Sequence, residues 1–335
     1  MTTTPRLGKH QNERPAGSNV ALDVIGLALG FVVLTAGASA LVRGGAALAR
    51  RLGLTSLVIG LTVVAVGTSA PEMVVSVGGS FEGRGDIAVG NVIGSNIFNV
   101  GVILALAALI APIDVKLGLL KLDAPLMIVA SVLAAGLVSL DEVPRWAGIL
   151  LLLLLFGYTV WNVWVARKQT DQMVEREFEA GVPGLARSVS IEVVLVLVGL
   201  VLLVVGSGML VSSTMAIART LGVSEAVIGL TIVAAGTSMP ELATSVVAAI
   251  RGQSDIAVGN VIGSNVFNIL GILGLSSTVR PLSAPGIGST DLWIMVVFAI
   301  ALLPLLWTGR KLQRWEGALL LVGYAGYLWI RWPQG

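Results

Sequence analysis

Gly67-Thr68-Ser69-Ala70-Pro71-Glu72 is answered further along the chain by Gly236-Thr237-Ser238-Met239-Pro240-Glu241, and the stretch Asp86 to Asn96 recurs letter for letter as Asp255 to Asn265. The copies, Val58 to Asn99 and Val227 to Asn268, align without a gap at a constant offset of 169. Each carries one glutamate in an apolar stretch, where an ionisable side chain is costly and marks a functional site. Two such acids at matching places of an internal repeat point to one shared cation site.

Of 335 residues, 56% are hydrophobic and only 12% are charged, which places the chain among polytopic membrane proteins and excludes a water-soluble enzyme. There is no cysteine, so disulfide and thiolate chemistry are excluded. The single histidine, His10, lies in a polar N-terminal tail, which rules out a serine–histidine pair inside the membrane. Lys and Arg sit singly or in short groups between apolar runs, where they set topology rather than bind nucleic acid. No enzymatic activity, no cofactor and no obligate protein partner is expected; the bilayer is the expected surrounding.

A span needs roughly 20 apolar residues, and ten stretches qualify: Val20 to Val42, Leu54 to Gly79, Asp86 to Ile110, Leu117 to Leu140, Val143 to Ala166, Val189 to Ser212, Val223 to Ile250, Asp255 to Val279, Gly288 to Thr308 and Trp315 to Trp332. The tryptophans fall near ends of the fifth, ninth and tenth, at the depth their amphipathic rings prefer. The expected fold is therefore all-α. A tail (1–18), read as retained rather than as a cleaved signal, precedes a first five-helix repeat (19–166), a hydrophilic linker (167–188) and a second repeat (189–335). An odd number of spans per repeat inverts the second copy in the membrane. Counting Lys and Arg, the loops after odd-numbered spans hold 13 against 8 elsewhere, which puts those loops and the linker in the cytoplasm and both termini outside.

Residues three and four apart share a helix face, so Thr68 and Ser69 point with Glu72, and Thr237 and Ser238 with Glu241. Pro71 and Pro240 lack an amide hydrogen and disturb the preceding turn, so helices broken at the site, with carbonyls freed around Ala65 to Gly67 and Ala234 to Gly236, are expected. Such carbonyls must be buried in protein, line a wet cavity or coordinate an ion. Ser95 with Asn99, and Ser264 with Asn268, again stand four apart. The donors are all hard oxygens, which suit Ca2+, Na+ or Mg2+ rather than zinc, copper or iron. Two carboxylates neutralise one Ca2+, and the same cluster could hold two or three Na+. Leaving both acids ionised without a counter-ion is costly, so exchange rather than uniport follows.

The paired Gly-Thr-Ser-x-Pro-Glu and Gly-Asn-x-x-Gly-Ser-Asn motifs, over essentially the whole chain beyond the tail, resemble the cation/calcium exchanger superfamily, in particular its prokaryotic sodium/calcium exchanger branch. The resemblance implies a Ca2+/Na+ antiporter of a prokaryotic plasma membrane working by alternating access, with Val20 to Val42 and Val189 to Ser212 sliding against an ion-holding core. It also implies ligands at the carbonyls of Ala65 and Ala234 and at Thr68, Ser69, Glu72, Ser95, Asn99, Thr237, Ser238, Glu241, Ser264 and Asn268. Some relatives carry aspartate where this chain has Asn268, so one ionisable group is missing and potassium coupling is disfavoured.

Plainer readings stand beside these. Asn91 and Asn260 are expected to support the helix break, and Gly90, Gly94, Gly259 and Gly263 to let helices pack closely. Asp86 and Asp255 are read as helix caps. Asp23, Asp123, Asp291 and Glu192 are placed near span ends, in reach of water. Two rival functions remain: a proton-coupled exchanger, in which protons on Glu72 and Glu241 are the counter-ions, and a cation channel with an acidic ring. An intramembrane protease is disfavoured, since no histidine or aspartate pair is placed for it.

Overall fold

The proline before each glutamate withholds an amide and constrains its neighbour, and the backbone breaks there in both halves. The computed structural model describes residues 20–179, 189–221 and 234–331. Helix α1 (Val20–Arg51) is followed by α2 (Ser56–Ile59), a π-helical turn (Gly60–Val64) and α3 (Ala65–Thr68); α4 (Ala70–Phe81) then departs at a bend of 50°. Next come α5 (Gly85–Phe98), a π turn (Asn99–Leu104), α6 (Ala105–Ile110), strand β1 (Ile113–Asp114), a π turn (Leu119–Asp123), α7 (Ala124–Val138) and α8 (Arg145–Glu179). The second half contains α9 (Val189–Thr220), α10 (Ala234–Thr237), α11 (Met239–Ile250), α12 (Ser254–Phe267), a π turn (Asn268–Leu273), α13 (Gly274–Val279), α14 (Ser289–Trp307), β2 (Lys311–Leu312) and α15 (Arg314–Arg331). Among the described residues seven helices are long and apolar enough to cross a membrane, and the bent pair makes an eighth.

The repeat is wider in structure than the motifs suggest. Adding 169 to the bounds of α1 gives those of α9, and the same shift carries α4, α5, the π turn at Asn99 and α6 onto α11, α12, the π turn at Asn268 and α13. The strand pairings obey it too. Ile113 pairs antiparallel with Leu312, and the isolated bridge Val143 to Leu282 is the image of that pair under the same shift. A pseudo-two-fold axis therefore relates the halves.

Helices α1 and α9 show how the axis lies. Gly30, Gly37 and Gly44 of α1 meet, in turn, Leu210, Leu203 and Leu195 of α9, so the helices run antiparallel. A two-fold that exchanges two antiparallel helices must lie across them. Glycine lets their backbones touch: a Cβ on Gly199 would stand 2.6 Å from the Leu41 amide nitrogen, and one on Gly206 would stand 2.5 Å from that of Leu34. Close backbone approach through small residues is how helices associate where the surrounding lipid is as apolar as their side chains.

The described tryptophans, Trp146, Trp161, Trp164, Trp293, Trp307, Trp315 and Trp329, are all exposed, as interfacial anchors should be. Several expectations need correction. Within the stretch 167–188, α8 continues to Glu179; Arg167 to Glu179 holds no Gly or Pro, which arrive only at Gly181 and Pro183. The first part of the seventh span lies outside the described residues. Asp123, Asp291 and Glu192 are buried rather than in reach of water, each with a partner: the Tyr158 hydroxyl donates to Asp123 (2.9 Å), Arg331 pairs with Asp291 (3.0 Å), and Arg51 pairs with Glu192 Oε1 (2.9 Å). Asp23 is half-buried, with its Oδ2 out of hydrogen-bond reach of the described residues. Asp86 and Asp255 sit in the first turns of α5 and α12 but do not cap them. Asp86 accepts the Gly286 amide (2.8 Å) and Asp255 pairs with Lys116 (2.5 Å), each tying a helix start to a distant loop.

Candidate ion site

The break in each half ends in a serine that reaches across the two-fold. Ser69, between α3 and α4, donates its hydroxyl to Glu241 Oε1 at 2.8 Å, and Ser238, between α10 and α11, donates to Glu72 Oε1 at 2.8 Å. Both glutamates lie in the first turn of their helices, α4 and α11, where a negative charge suits the helix dipole. Both are 1% exposed, so the protein interior holds two carboxyl groups facing one another's helix breaks. The second oxygen of each, Glu72 Oε2 and Glu241 Oε2, is buried with no hydrogen-bond partner.

The same holds for the amides. Asn99 Nδ2 donates to Asn265 Oδ1 (2.9 Å) and Asn268 Nδ2 to Asn96 Oδ1 (3.2 Å), a second reciprocal pair under the 169 shift. The Oδ1 atoms of Asn99 and Asn268 are buried and unpartnered, as is Ser264 Oγ. Buried acceptors almost always find a donor, so these five orphaned oxygens, four of them paired by the two-fold, suit a cation. Among the described residues no group of three His, Asp or Glu side chains converges. The donor set thus has two carboxylates, and its other members are neutral oxygens.

The remaining expected residues are placed as follows. Thr68 is buried, with its hydroxyl 3.1 Å from Asn260 Oδ1 and 3.3 Å from the Ala65 carbonyl. Ser95 is buried and accepts a 3.4 Å contact from the Ser238 hydroxyl. Thr237 is half-buried at the end of α10, and Ala234 opens that helix. The Ala65 carbonyl is not freed by the proline, because it accepts the Ser69 amide at 3.0 Å. The amide that Pro71 and Pro240 withhold belongs four residues back, at Gly67 and Gly236. The Gly236 carbonyl takes the Ser207 hydroxyl of α9 instead (2.8 Å), and Ala38 occupies the equivalent place in α1.

Asn91 and Asn260 support the break, as expected. Asn91 Nδ2 donates to the Glu72 carbonyl (3.1 Å) and to Ser76 Oγ (2.9 Å); Asn260 Nδ2 does the same to the Glu241 carbonyl (3.3 Å) and to Ser245 Oγ (2.9 Å). Gly259 and Gly263 approach the backbone of Gly60 and Leu61 closely, which fits packing, while Gly94 has open space around it. Asn96, Asn265 and Ser207 were not anticipated. The available signal was spacing: Asn96 stands three residues before Asn99, on the same helix face.

Apolar spans related by a two-fold, with a buried set of oxygen donors shared between the halves, define a multi-pass integral membrane protein built to handle hard cations. The profile of the sodium/calcium exchanger protein family matches residues 22–164 and 191–332. The chain belongs to that family. It is 32% identical over 298 residues to the sodium/calcium exchanger MaX1 of Methanosarcina acetivorans, covering 78% of this chain and 84% of that one. It is 35% identical over 266 residues to the inner membrane protein YrbG of Escherichia coli, covering 78% and 82%. Its fold matches a solved structure of the sodium-calcium exchanger NCX_Mj soaked with zero Na+ and Ca2+, with a TM-score of 0.78, 34% identity and coverage of 91% of this chain and 97% of that one.

Proposed function

We propose that this protein is a secondary antiporter that extrudes Ca2+ against inward Na+ by alternating access, with ten spans arranged as two inverted five-helix repeats. The observation that carries the reading is the set of orphaned buried oxygens, the symmetry-related pairs Glu72 Oε2 with Glu241 Oε2 and Asn99 Oδ1 with Asn268 Oδ1, and Ser264 Oγ beside them. Thr68, Ser69, Ser95, Thr237, Ser238 and the carbonyls of Ala65 and Ala234 complete the ligand set. Six to eight oxygens with two negative charges suit Ca2+, which tolerates irregular coordination better than Mg2+ does. Three Na+ replacing one Ca2+ would move a net charge each cycle, so the membrane potential helps drive export.

Alternating access is supported by the way the α1/α9 pair departs from the two-fold. Gly67 packs against Leu200 and Gly236 against Val211, both from α9. Were the pair centred, the images of these contacts would come from Phe31 and Val42 of α1. The pair therefore rests to one side of the core, as a slider does at one end of its travel. Lys116 with Asp255 and the β1–β2 pair tie together loops that the charge count assigns to the cytoplasm.

The test is uptake of radiolabelled Ca2+ into proteoliposomes loaded with Na+, with no pH gradient. Uptake that needs internal Na+, is strengthened by an inside-positive potential because net positive charge leaves with three Na+, and is abolished in Glu72→Gln and Glu241→Gln is the expected result. Flux that ignores Na+ and follows a pH gradient would replace this reading with proton coupling.

A further inference from the structure

We propose that Asn96 and Asn265 are positioning residues that decide which atom of the Asn268 and Asn99 carboxamides faces the transported cation. This rests on the reading of Asn99 and Asn268 as ligands. A carboxamide has two nearly isosteric ends, an oxygen that accepts and an NH2 that donates, and only the oxygen can coordinate a cation. Nothing within an asparagine selects the end. At this site the choice is made one residue further out.

The chain of bonds has a direction. Met295 of α14 and Met127 of α7 are buried, and a thioether accepts weakly and never donates. Asn96 Nδ2 lies 3.8 Å from Met295 Sδ, and Asn265 Nδ2 lies 3.4 Å from Met127 Sδ and 3.4 Å from the Asn96 carbonyl. With their NH2 groups so engaged, the outer asparagines turn Oδ1 inward. Those oxygens take the NH2 groups of Asn268 (3.2 Å) and Asn99 (2.9 Å), which leaves Oδ1 of each inner asparagine unpartnered and available. Flipping any one amide would set oxygen against oxygen or sulfur, and NH2 against NH2, in a place where all four asparagines are at most 2% exposed. Buried polar groups left unpaired are penalised, so the polarity is held along the whole row.

The methionines belong to the same design. Asp123 and Met127 of the first half answer Asp291 and Met295 of the second at an offset of 168, so the repeat continues here with one residue fewer between the copies. A carboxylate at 268 would present an oxygen whichever way it turned. An amide presents one only when it is held, which is why this chain, with Asn at 268 and 99, depends on the outer pair.

That difference supplies the test. Ca2+ affinity is measured by calorimetry on the purified full-length protein in detergent for wild type, Asn96→Ala, Asn268→Asp and the double variant. Asn96→Ala is expected to weaken Ca2+ binding about tenfold in the wild-type background and to change it by less than about twofold in the Asn268→Asp background, because the carboxylate needs no orienting. The mirror cycle, Asn265→Ala with Asn99→Asp, gives the same pattern and serves if Asn96→Ala does not fold. An equal loss in both backgrounds, or no loss in either, overturns the proposal while leaving the ligand reading intact. If Asn268→Asp changes neither Ca2+ nor Na+ binding, the ligand reading fails and takes the proposal with it.

Discussion

Replacing Gly206 by alanine tests the backbone contact between α1 and α9 at a single methyl group. The added Cβ would stand 2.5 Å from the Leu34 amide nitrogen and 2.8 Å from its Cα, whereas ordinary contact begins at 3.4 Å. The intruding neighbour is main chain, so a rotamer change cannot relieve it. The helices must part by about 0.9 Å at that level, the difference between those two distances. Overpacking of this kind costs about 1–3 kcal/mol. Gly208, two residues on, has nothing within 4 Å of its own added Cβ, so Gly208→Ala is the control on the same helix. Thermal unfolding of the detergent-purified protein should show Gly206→Ala destabilised and Gly208→Ala not. Gly37, the symmetry mate, would place its Cβ 2.7 Å from the Leu203 amide nitrogen. Once one level has been forced apart the second should cost less, so Gly37→Ala with Gly206→Ala should be less than additive. A Gly206→Ala protein that melts with the wild type, or a Gly208→Ala protein that loses as much, would refute the close packing.

Ser69→Ala and Ser238→Ala each remove a hydrogen bond to a carboxylate, a loss of about 1.5–3 kcal/mol or roughly 12- to 150-fold in Ca2+ affinity; calorimetry should find the two effects within a few-fold of each other, because the two-fold makes the bonds equivalent. Ser207→Ala leaves the Gly236 carbonyl without its donor and should lower thermal stability by about 1–3 kcal/mol, a change that unfolding in detergent would register.

Much of this was legible in the sequence because the chain states it twice. The duplicated Pro-Glu predicts both the helix breaks and the facing acids, and no basic residue lay near enough to suggest a structural ion pair. The reach of each serine to the opposite glutamate was not legible, since spacing along one helix says which residues share a face and nothing about what lies across the axis. The π turns at Asn99 and Asn268 are marked by no Gly or Pro at their first residues and were not legible either. The expectation of a freed carbonyl at Ala65 is off by a countable step: a proline withholds the bond to the residue four before it, which is Gly67 or Gly236, while Ala65 keeps the Ser69 amide. Asp123 and Asp291 were misjudged because distance along a span is not depth in the protein. Tyr158 and Arg331 reach them from neighbouring helices.

The reciprocity of the bonds bears on mechanism as well as on fold. On the proposed reading, a carrier must hold its cation equally well whichever side is open, or binding energy gained at one face would trap it there. A donor set generated by a two-fold axis lying across the helices meets that need directly. The axis carries Glu72 with Ser238 onto Glu241 with Ser69, and Asn268 with Asn96 onto Asn99 with Asn265. Exchanging the two ends therefore maps the donors onto themselves. What does not map onto itself is the α1/α9 pair, whose contacts with the core break the symmetry. On the proposed reading the fold separates the two tasks, leaving affinity to the symmetric core and access to the asymmetric pair. A cation that differs in affinity between the two states can shift their balance only by that difference, and in the symmetric core the difference is small by construction.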